Sequence, residues 1–207
     1  MIYFTSDTHF NDKRIIELRG RRHWQSVAAM NHDLIERWNF TVGKKDEVYV
    51  LGDFGYHWLD APHSIGHIFH SLHGKKHLII GNHDEQNPKV LQLPWTSQSY
   101  LAVLHQTMPA AVTTPTGSAK VGFVLCHYPI ERWWRMEKGY IHLHGHIHGG
   151  THRPTSTIPH RFDVGVDCHG YVPVVLEQFV SIASQQPFDP TEYYMTRADG
   201  GFTTEHT

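Results

Sequence analysis

The chain has 207 residues, a formal net charge of −2 and a near-neutral isoelectric point. This length suits one domain with a sizeable core. The charge balance argues against a broad electrostatic footprint for duplex nucleic acid or an anionic membrane, although it leaves room for a small basic patch. The sequence contains no apolar run long enough to span a membrane, and its first residues do not resemble a signal peptide. Two cysteines without a CxxC spacing favour a reduced, cytoplasmic protein.

The N-terminal half predicts β-strands that alternate with α-helices. Residues 2–5 form a short β-rich run, and residues 26–38 follow a helical period. Residues 47–51 predict a second strand, residues 63–72 a second helix and residues 77–80 a third strand. Strands that are buried on both faces and separated by helices are typical of α/β layering.

After Pro94 the sequence predicts a second sheet that is richer in adjacent strands. Its strand-like segments are residues 99–105, 110–114, 121–126, 140–144 and 161–166, with Pro and Gly between them. Residues 174–184 predict a closing helix. We therefore expect one domain over residues 1–184, followed by a loosely held tail over residues 185–207, where no clear period is present.

Side chains that bind metals follow five of the predicted strands directly, and 20 histidines are present in all. Sites in layered α/β folds form beyond the carboxyl ends of the strands, so these side chains can reach one rim. Carboxylate, imidazole and amide oxygen together suit borderline divalent metals such as Mn, Fe, Co, Ni or Zn. The candidates are too many for one ion and fit two ions about 3.5–4 Å apart.

The order of these groups resembles that of the calcineurin-like metallophosphoesterase superfamily. The matching blocks are Asp7-Thr8-His9, Gly52-Asp53, Gly81-Asn82-His83-Asp84, His127 and Gly145-His146-Ile147-His148. The stretches VYVLGDF and IHLHGHIHGG further resemble small single-domain bacterial and phage phosphoesterases. The resemblance implies a four-layer α/β/β/α sandwich of two mixed β-sheets flanked by helices, with a dinuclear metal site at the strand ends.

The resemblance also implies a role for each matching residue. Seven metal ligands are implied, three for each of two ions and one shared between them: Asp7, His9 and His148; Asn82, His127 and His146; and the bridging Asp53. His83 is expected beside the ions, where it donates a proton to the leaving oxygen or holds the substrate phosphate. Asp84 is expected to orient the His83 ring.

The implied activity is hydrolysis of a nucleotide or another small phosphodiester by in-line attack of a hydroxide that bridges two divalent ions, with Mn favoured over Fe, Ni, Co or Zn. The presence of both His9 and His83 resembles the members that cleave diesters. A phosphomonoesterase or a nuclease of the same superfamily remains an alternative, and a non-catalytic metal-binding interaction scaffold is the alternative from another class. The expected partner is a small phosphate ester, with no membrane and no stable binding of duplex nucleic acid.

Two basic-aromatic patches are candidates for substrate contact, because each follows a motif strand. Arg22 belongs to the first patch, and Arg132, Trp133 and Trp134 belong to the second, which is the better candidate. A surface charge run, or hydrophobic packing of the two tryptophans, is the competing interpretation.

Other histidines in conspicuous positions are expected to lie outside the metal site. The second NHD triplet, residues 31–33, is interpreted as helix surface because it lies inside a helical run. His142 and His144 share one face of a predicted strand and are interpreted as strand residues, with His144 close enough to support a ligand.

Overall fold

The computed structural model describes residues 1–18, 21–57, 61, 63–149 and 158–186, which form two mixed β-sheets flanked by helices. The strands of the first sheet are β1 (Ile2–Thr5), β2 (Glu47–Val50), β3 (Lys75–Ile79), β4 (Ser97–Ser99) and β9 (Val174–Val175). They lie in the order β4-β3-β2-β1-β9, with β1 to β4 parallel and β9 antiparallel to β1.

The second sheet has the order β5-β6-β7-β8. Its strands are β5 (Leu101–Thr107), β6 (Lys120–Cys126), β7 (Ile141–His144) and β8 (Arg161–Asp163). Strand β5 is antiparallel to β6, whereas β6, β7 and β8 are parallel. The carboxyl ends of three parallel strands therefore point to one edge of this sheet.

The described helices lie between and beyond these strands. They are α1 (Lys13–Leu18), α2 (Val27–Thr41), α3 (Ile65–Ser71), α4 (Asn82–Glu85), α5 (Pro88–Leu91) and α6 (Leu176–Ser184), with 3₁₀ helices at Met136–Lys138 and Val166–Cys168. Helices α2 and α3 begin at serine caps, since the Ser26 hydroxyl accepts from the Ala29 N–H and the Ser64 hydroxyl from the His67 N–H. No helix among the described residues is long and apolar enough to cross a membrane.

The main core lies between the two sheets, where their inner faces pack against each other. Phe4 of β1 contacts Phe123 of β6 and Phe179 of α6, with ring centroids 5.8 and 6.2 Å apart. All three side chains are fully buried. Helix α6 therefore joins the core between the sheets.

The outer faces of the sheets are covered differently. On the first sheet, Trp38 of α2 and Ile68 of α3 belong to one cluster with Val48 of β2. On the second sheet, Trp133 and Met136 pack against Val124 of β6. In the part of the chain that the structure describes, the fourth layer of the expected sandwich is therefore a loop with one 3₁₀ helix.

Most of the predicted elements are present, and the exceptions have physical reasons. Residues 110–114 were expected to form a strand, but they form turns at the end of β5, where Pro109 precedes them. The predicted helix over 174–184 starts at Leu176, because Val174–Val175 pair with β1. Residues 187–207, almost all of the expected tail, lie outside the described residues.

Asn31 was expected on the helix surface, and this expectation was wrong. Its side chain is fully buried. The Asn31 amide donates to Asn11 Oδ1 at 2.6 Å, and the Asn11 backbone N–H donates to Asn31 Oδ1 at 3.0 Å. This pair joins α2 to the loop after β1, while His32 of the same triplet stays exposed.

Truncation of Phe4 tests the core between the sheets. We expect Phe4→Ala to lower the free energy of unfolding by about 3–5 kcal/mol, because it empties a ring-sized volume between both sheets and α6. Phe40→Ala is the matched control, since Phe40 is 95% exposed on α2, and we expect it to change stability by less than about 0.5 kcal/mol. Urea unfolding followed by circular dichroism measures both variants; equal losses would contradict the assigned core.

Candidate metal centre

The motif residues come together at the carboxyl ends of strands from both sheets. They follow β1, β2, β3, β6 and β7 directly: Asp7 and His9; Asp53; Asn82, His83 and Asp84; His127; and His146 and His148. The backbone pairs that hold the neighbouring loops together include Asp7 N–H to Gly52 O and Gly145 N–H to His127 O, both at 3.0 Å. The rim expected from the sequence is therefore present.

Five of these residues have left-handed backbone conformations. Their φ angles are 56° at Asp7, 48° at His9, 55° at Asp53, 73° at His146 and 52° at His148. Non-glycine residues adopt such angles infrequently, although Asp and His tolerate them better than most. Strained conformations of this kind cluster at functional sites, where surrounding structure holds them in place.

The first group of donor atoms comes from Asp7, His9 and His148, whose donor atoms all lie within 4.8 Å of one another. His148 Nε2 lies 3.6 Å from Asp7 Oδ1. His9 Nδ1 lies 3.6 Å from Asp12 Oδ2, whereas Nε2 is buried without a hydrogen-bond partner. Buried polar atoms are nearly always paired, so the unpaired Nε2 of His9 fits a metal ligand.

The second group comes from Asn82, His127 and His146. Asn82 Oδ1 lies 3.0 Å from His127 Nε2 and 3.1 Å from His146 Nδ1, and those two nitrogens are 3.2 Å apart. Ligand atoms about 2.1 Å from one ion lie roughly 3 Å apart when they bind at right angles. His127 Nδ1 contacts Leu51 O at 2.7 Å, which leaves Nε2 to face Asn82 Oδ1 and His146 Nδ1. The three atoms are spaced as ligands of one cation.

Asp53 lies between the two groups. Its Oδ2 atom is 3.7 Å from His9 Nε2 and 3.5 Å from His127 Nε2. Because each histidine belongs to a different group, this carboxylate oxygen can contact an ion in either position. Asp53 also accepts the His83 backbone N–H through Oδ1 at 2.9 Å, which holds the carboxylate in this orientation.

Burial disfavours the charged forms of both Asp7 and His9. It raises the pKa of Asp7 to about 6, since the carboxylate is completely enclosed and nearby histidines compensate only in part. Burial lowers the pKa of His9 to about 4, so its imidazole is neutral near pH 7. A neutral imidazole beside an enclosed carboxylate is the combination that a divalent cation would stabilise.

Asp53 and His127 behave as a coupled pair. Burial alone raises the pKa of Asp53, but the hydrogen bond and charge of His127, with the charge of His9, lower it to about 2. Burial alone lowers the pKa of His127, but Asp53 raises it to about 9. The negative potential that holds a proton on His127 also attracts a metal cation, which competes with that proton.

A fully buried arginine, Arg21, supports the first donor group through Asp167 and through backbone carbonyls. Arg21 donates to both oxygens of Asp167 at 2.7 Å, and also to Asp7 O at 2.6 Å and Thr8 O at 3.0 Å. The second oxygen of Asp167 contacts His148 Nδ1 at 2.7 Å. Burial alone raises the pKa of Asp167, but the bonds from His148 and Arg21 lower it to about 2. The ionised Asp167 thus sets the His148 ring so that Nε2 faces Asp7.

Asp84 does not contact the His83 ring, which corrects the expected role. Its two oxygens accept the backbone N–H groups of Gly81, Asp53 and Phe54 at 2.8–2.9 Å. The carboxylate is fully buried, and it ties the loop after β3 to the loop after β2. The partner of His83 Nδ1 is instead the hydroxyl of Tyr56.

Two glycines allow the loops to approach so closely. A Cβ atom on Gly145 would lie 1.8 Å from Ser6 Oγ and 2.5 Å from Asp7 Oδ2. One on Gly81 would lie 2.5 Å from Asp53 Oδ1. A side chain at either position would displace the candidate ligands.

His142 and His144 lie outside both groups, as expected. His142 is fully buried; its Nδ1 contacts Val124 O at 2.9 Å, and its Nε2 accepts the Ile130 N–H at 3.0 Å. It therefore fastens the loop after β6 to the second sheet. His144 Nδ1 contacts Gly145 O at 2.9 Å, next to the candidate ligand His146.

Of the expected substrate contacts, Trp133 and Trp134 pack against residues away from the donor groups. Trp133 is buried and donates to Tyr140 O at 2.8 Å. Trp134 is exposed, but it packs against Tyr140, just before β7 and thus at the opposite end of the sheet. Arg22 is exposed and contacts Glu17 O at 3.5 Å, and Arg132 is exposed on the same loop as the tryptophans. Trp133 therefore fits the competing interpretation, which was hydrophobic packing.

Three supporting residues were not predicted from the sequence. Asp167 follows the predicted strand of residues 161–166, so the strand-end pattern that identified the ligands could have identified it. Arg21 precedes Arg22 in the first basic-aromatic patch, but it bonds Asp167, an interior partner 146 positions away in the sequence. Tyr56 carries no comparable signal, because a tyrosine after a turn is most simply a packing residue.

The chain is 33% identical to the Gene 66 protein of Mycobacterium phage D29, an alignment that covers 84% of this chain and 92% of that protein. It belongs to that protein's family. The Gene 66 protein of Mycobacterium phage L5 is 28% identical over 81% of this chain and 87% of its own length. Uncharacterized protein MJ1445 of Methanocaldococcus jannaschii is 30% identical, with 87% and 90% covered. The family therefore has members from phages and an archaeon.

No family model matches the chain. The crystal structure of AQ665, a protein of unknown function from Aquifex aeolicus, is similar with a TM-score of 0.62. The alignment covers 84% of this chain and 94% of that chain at 22% sequence identity. This likeness supports the arrangement of two sheets and helices.

Removal of the charge on Asp167 tests the support of the first group. We expect Asp167→Asn to weaken metal binding about 10- to 100-fold, because an amide cannot hold both Arg21 and the His148 ring as the carboxylate does. Asp33→Asn is the matched control, since Asp33 bonds Trp24 and Arg37 on the outer helix surface. Titration of the metal-free proteins with Mn²⁺ in a calorimeter measures both affinities. Equal affinities in the two variants would show that Asp167 does not support a ligand.

Proposed function

We propose that this protein is a phosphodiesterase that uses two divalent metal ions to hydrolyse a nucleotide or another small diester, as in the calcineurin-like metallophosphoesterases that its motifs resemble. The observation that carries the proposal is the position of Asp53 Oδ2, within 3.7 Å of a histidine from each donor group. Two ions that share one carboxylate are the arrangement that clamps both oxygens of an in-line phosphoryl displacement.

The donor set fits such ions. Asp7, His9 and His148 would hold one ion, and Asn82, His127 and His146 the other, with Asp53 shared. Oxygen and imidazole donors without thiolate suit Mn, Fe, Ni, Co or Zn. When bound, two such ions make hydroxide available near neutral pH and offset charge on the phosphoryl oxygens.

The exposure of His83 supports a role in substrate contact rather than in metal binding. Its side chain is 35% exposed, whereas the carboxylate of Asp53 beside it is 2% exposed. His83 Nε2 lies 4.0 Å from Asp53 Oδ2, too far for a hydrogen bond, so the atom is open to a phosphate seated on the rim. From there His83 assists departure of the leaving oxygen.

An exposed aromatic ring beside the donor groups supports a nucleotide or aryl diester. Tyr128 is 45% exposed, and its ring centroid lies 4.9 Å from that of His146 and 5.1 Å from that of His127. The nearby Ile130 N–H donates to His142 Nε2 at 3.0 Å, which positions this segment. An exposed ring held beside the donor groups can stack on a base, a contact worth about 1–3 kcal/mol per base.

Two further features favour a diester over a monoester. The leaving group of a diester is a poorly stabilised alkoxide, so a donor such as His83 contributes more to its departure. The described residues place no separate domain over the rim, which leaves room for both arms of a diester.

An assay of the metal-free protein tests the proposal. We expect no turnover until Mn²⁺, Ni²⁺, Co²⁺, Zn²⁺ or Mg²⁺ is added, and then faster hydrolysis of bis(p-nitrophenyl) phosphate than of p-nitrophenyl phosphate, since the proposed activity is that of a diesterase. Asp53→Asn should abolish this activity, and the control Asp33→Asn should retain it. Metal binding without turnover of either substrate would contradict the proposal and favour an interaction scaffold; cleavage restricted to DNA would favour a nuclease.

A further inference from the structure

A cavity that the proposed function does not use lies on the second sheet. Its volume is about 400 Å³, and the side chains of His105, Lys120, Arg135 and Tyr140 line it. It lies at the end of β6 that starts with Lys120, whereas the candidate ligand His127 follows the other end of that strand. Cavities of this volume are typical of small-molecule sites.

The register of β5 and β6 places two basic side chains on the outer face of the sheet. His105 lies opposite Gly122, two residues along β6 from Val124, and Lys120 is two residues further along. Alternate residues of a strand share one face. Val124 packs against the loop that covers the outer face, so His105 and Lys120 also project from that face.

Tyr140 forms the floor between these side chains. A Cβ atom on Gly122 would lie 2.2 Å from Tyr140 Cε2, so the ring rests directly on the β6 backbone. The Tyr140 hydroxyl lies 2.9 Å from His105 Nε2 and accepts from Arg135 Nη1 at 3.3 Å. One hydroxyl thus positions both the imidazole and the guanidinium at the cavity.

The cavity is suited to an anion. The described residues that line it include no acidic side chain. Within the described part of the chain, the ion pairs of arginine side chains are those of Arg14, Arg21 and Arg37. Neither Lys120 nor Arg135 is paired with a carboxylate there. A guanidinium can bind two oxygens of a phosphate at once, and an ammonium adds a compact charge.

An exposed indole ring lies beside this cationic cavity. Trp134 is 52% exposed, and its ring centroid lies 5.4 Å from that of Tyr140. The Arg135 guanidinium carbon lies 4.5 Å from the centre of the Trp134 ring, so the cation covers one face of the indole. The exposed part of the ring is a flat aromatic surface on which a planar base can stack.

We propose that this cavity is a second ligand site, separate from the metal centre, that binds a nucleotide. Its phosphate lies against Lys120, Arg135 and His105, and its base stacks on Trp134. Cationic side chains beside an exposed aromatic ring match the two parts of a nucleotide, and the volume suits a single nucleotide. The assignment does not depend on the proposed phosphodiesterase function.

Calorimetric titration of the full-length chain with AMP and with inorganic phosphate tests this assignment. Metal ions are removed first, so that neither probe binds ions at the metal centre. We expect the wild type to bind AMP about 5- to 100-fold more tightly than phosphate, because the base adds one stacking contact. Trp134→Ala should remove this advantage and leave the affinity for phosphate unchanged.

Charge-neutral variants test the phosphate contacts. We expect Arg135→Gln and Lys120→Gln each to weaken the binding of both probes about tenfold or more, the effect of a charge-assisted hydrogen bond. Lys138→Gln is the matched control, since Lys138 is exposed on the same loop as Arg135 but does not line the cavity. We expect it to change neither affinity.

The remaining outcomes would overturn the assignment. These are no saturable binding of AMP to the wild type, equal losses in Arg135→Gln and Lys138→Gln, or a loss of AMP affinity in Tyr128→Ala but not in Trp134→Ala, which would place the nucleotide at the metal rim. An affinity for oligonucleotides that rises with their length would instead show a surface for single-stranded nucleic acid. The titrations require no turnover, so they decide this site even if metal-dependent hydrolysis is absent.

Discussion

The site depends on a buried carboxylate, that of Asp53, which lies where the loops of the two sheets meet. Its Oδ2 atom has a histidine from each donor group within 3.7 Å. Several negative and lone-pair atoms enclosed without a cation are unfavourable in a low-dielectric interior. Positive charge between these atoms, as protons or as metal ions, would therefore stabilise their convergence.

Interior contacts hold the loops that carry these side chains in place. Left-handed turns at residues such as Asp7, Asp53 and His146 cost free energy, on the order of 1 kcal/mol or more each. That cost is offset by interior contacts that leave the loops no alternative: Asp84 binds three backbone N–H groups, and Arg21 binds two backbone carbonyls. Neither residue reaches the donor groups, yet both determine where the donor atoms point.

Residues whose role follows from local pattern were predictable, and residues whose role depends on distant partners were not. The strand IYFT and the polar residues after it are local features, so β1 and the position of Asp7 beyond it could be derived from the sequence. Asn31 and Arg21 look like surface residues by local pattern, but Asn11 and Asp167 bury them. Trp133 was misplaced for the same reason, since only the packing on Val124 shows which face of the second sheet it covers.

The central claim is that two ions share Asp53, and diffraction from crystals soaked in Mn²⁺ tests it most directly. Data collected at the manganese absorption edge should show two anomalous peaks about 3.5–4 Å apart, one beside Asp7, His9 and His148 and the other beside Asn82, His127 and His146. Asp53 Oδ2 should lie between the peaks. A single peak, or peaks that do not contact Asp53, would contradict the account.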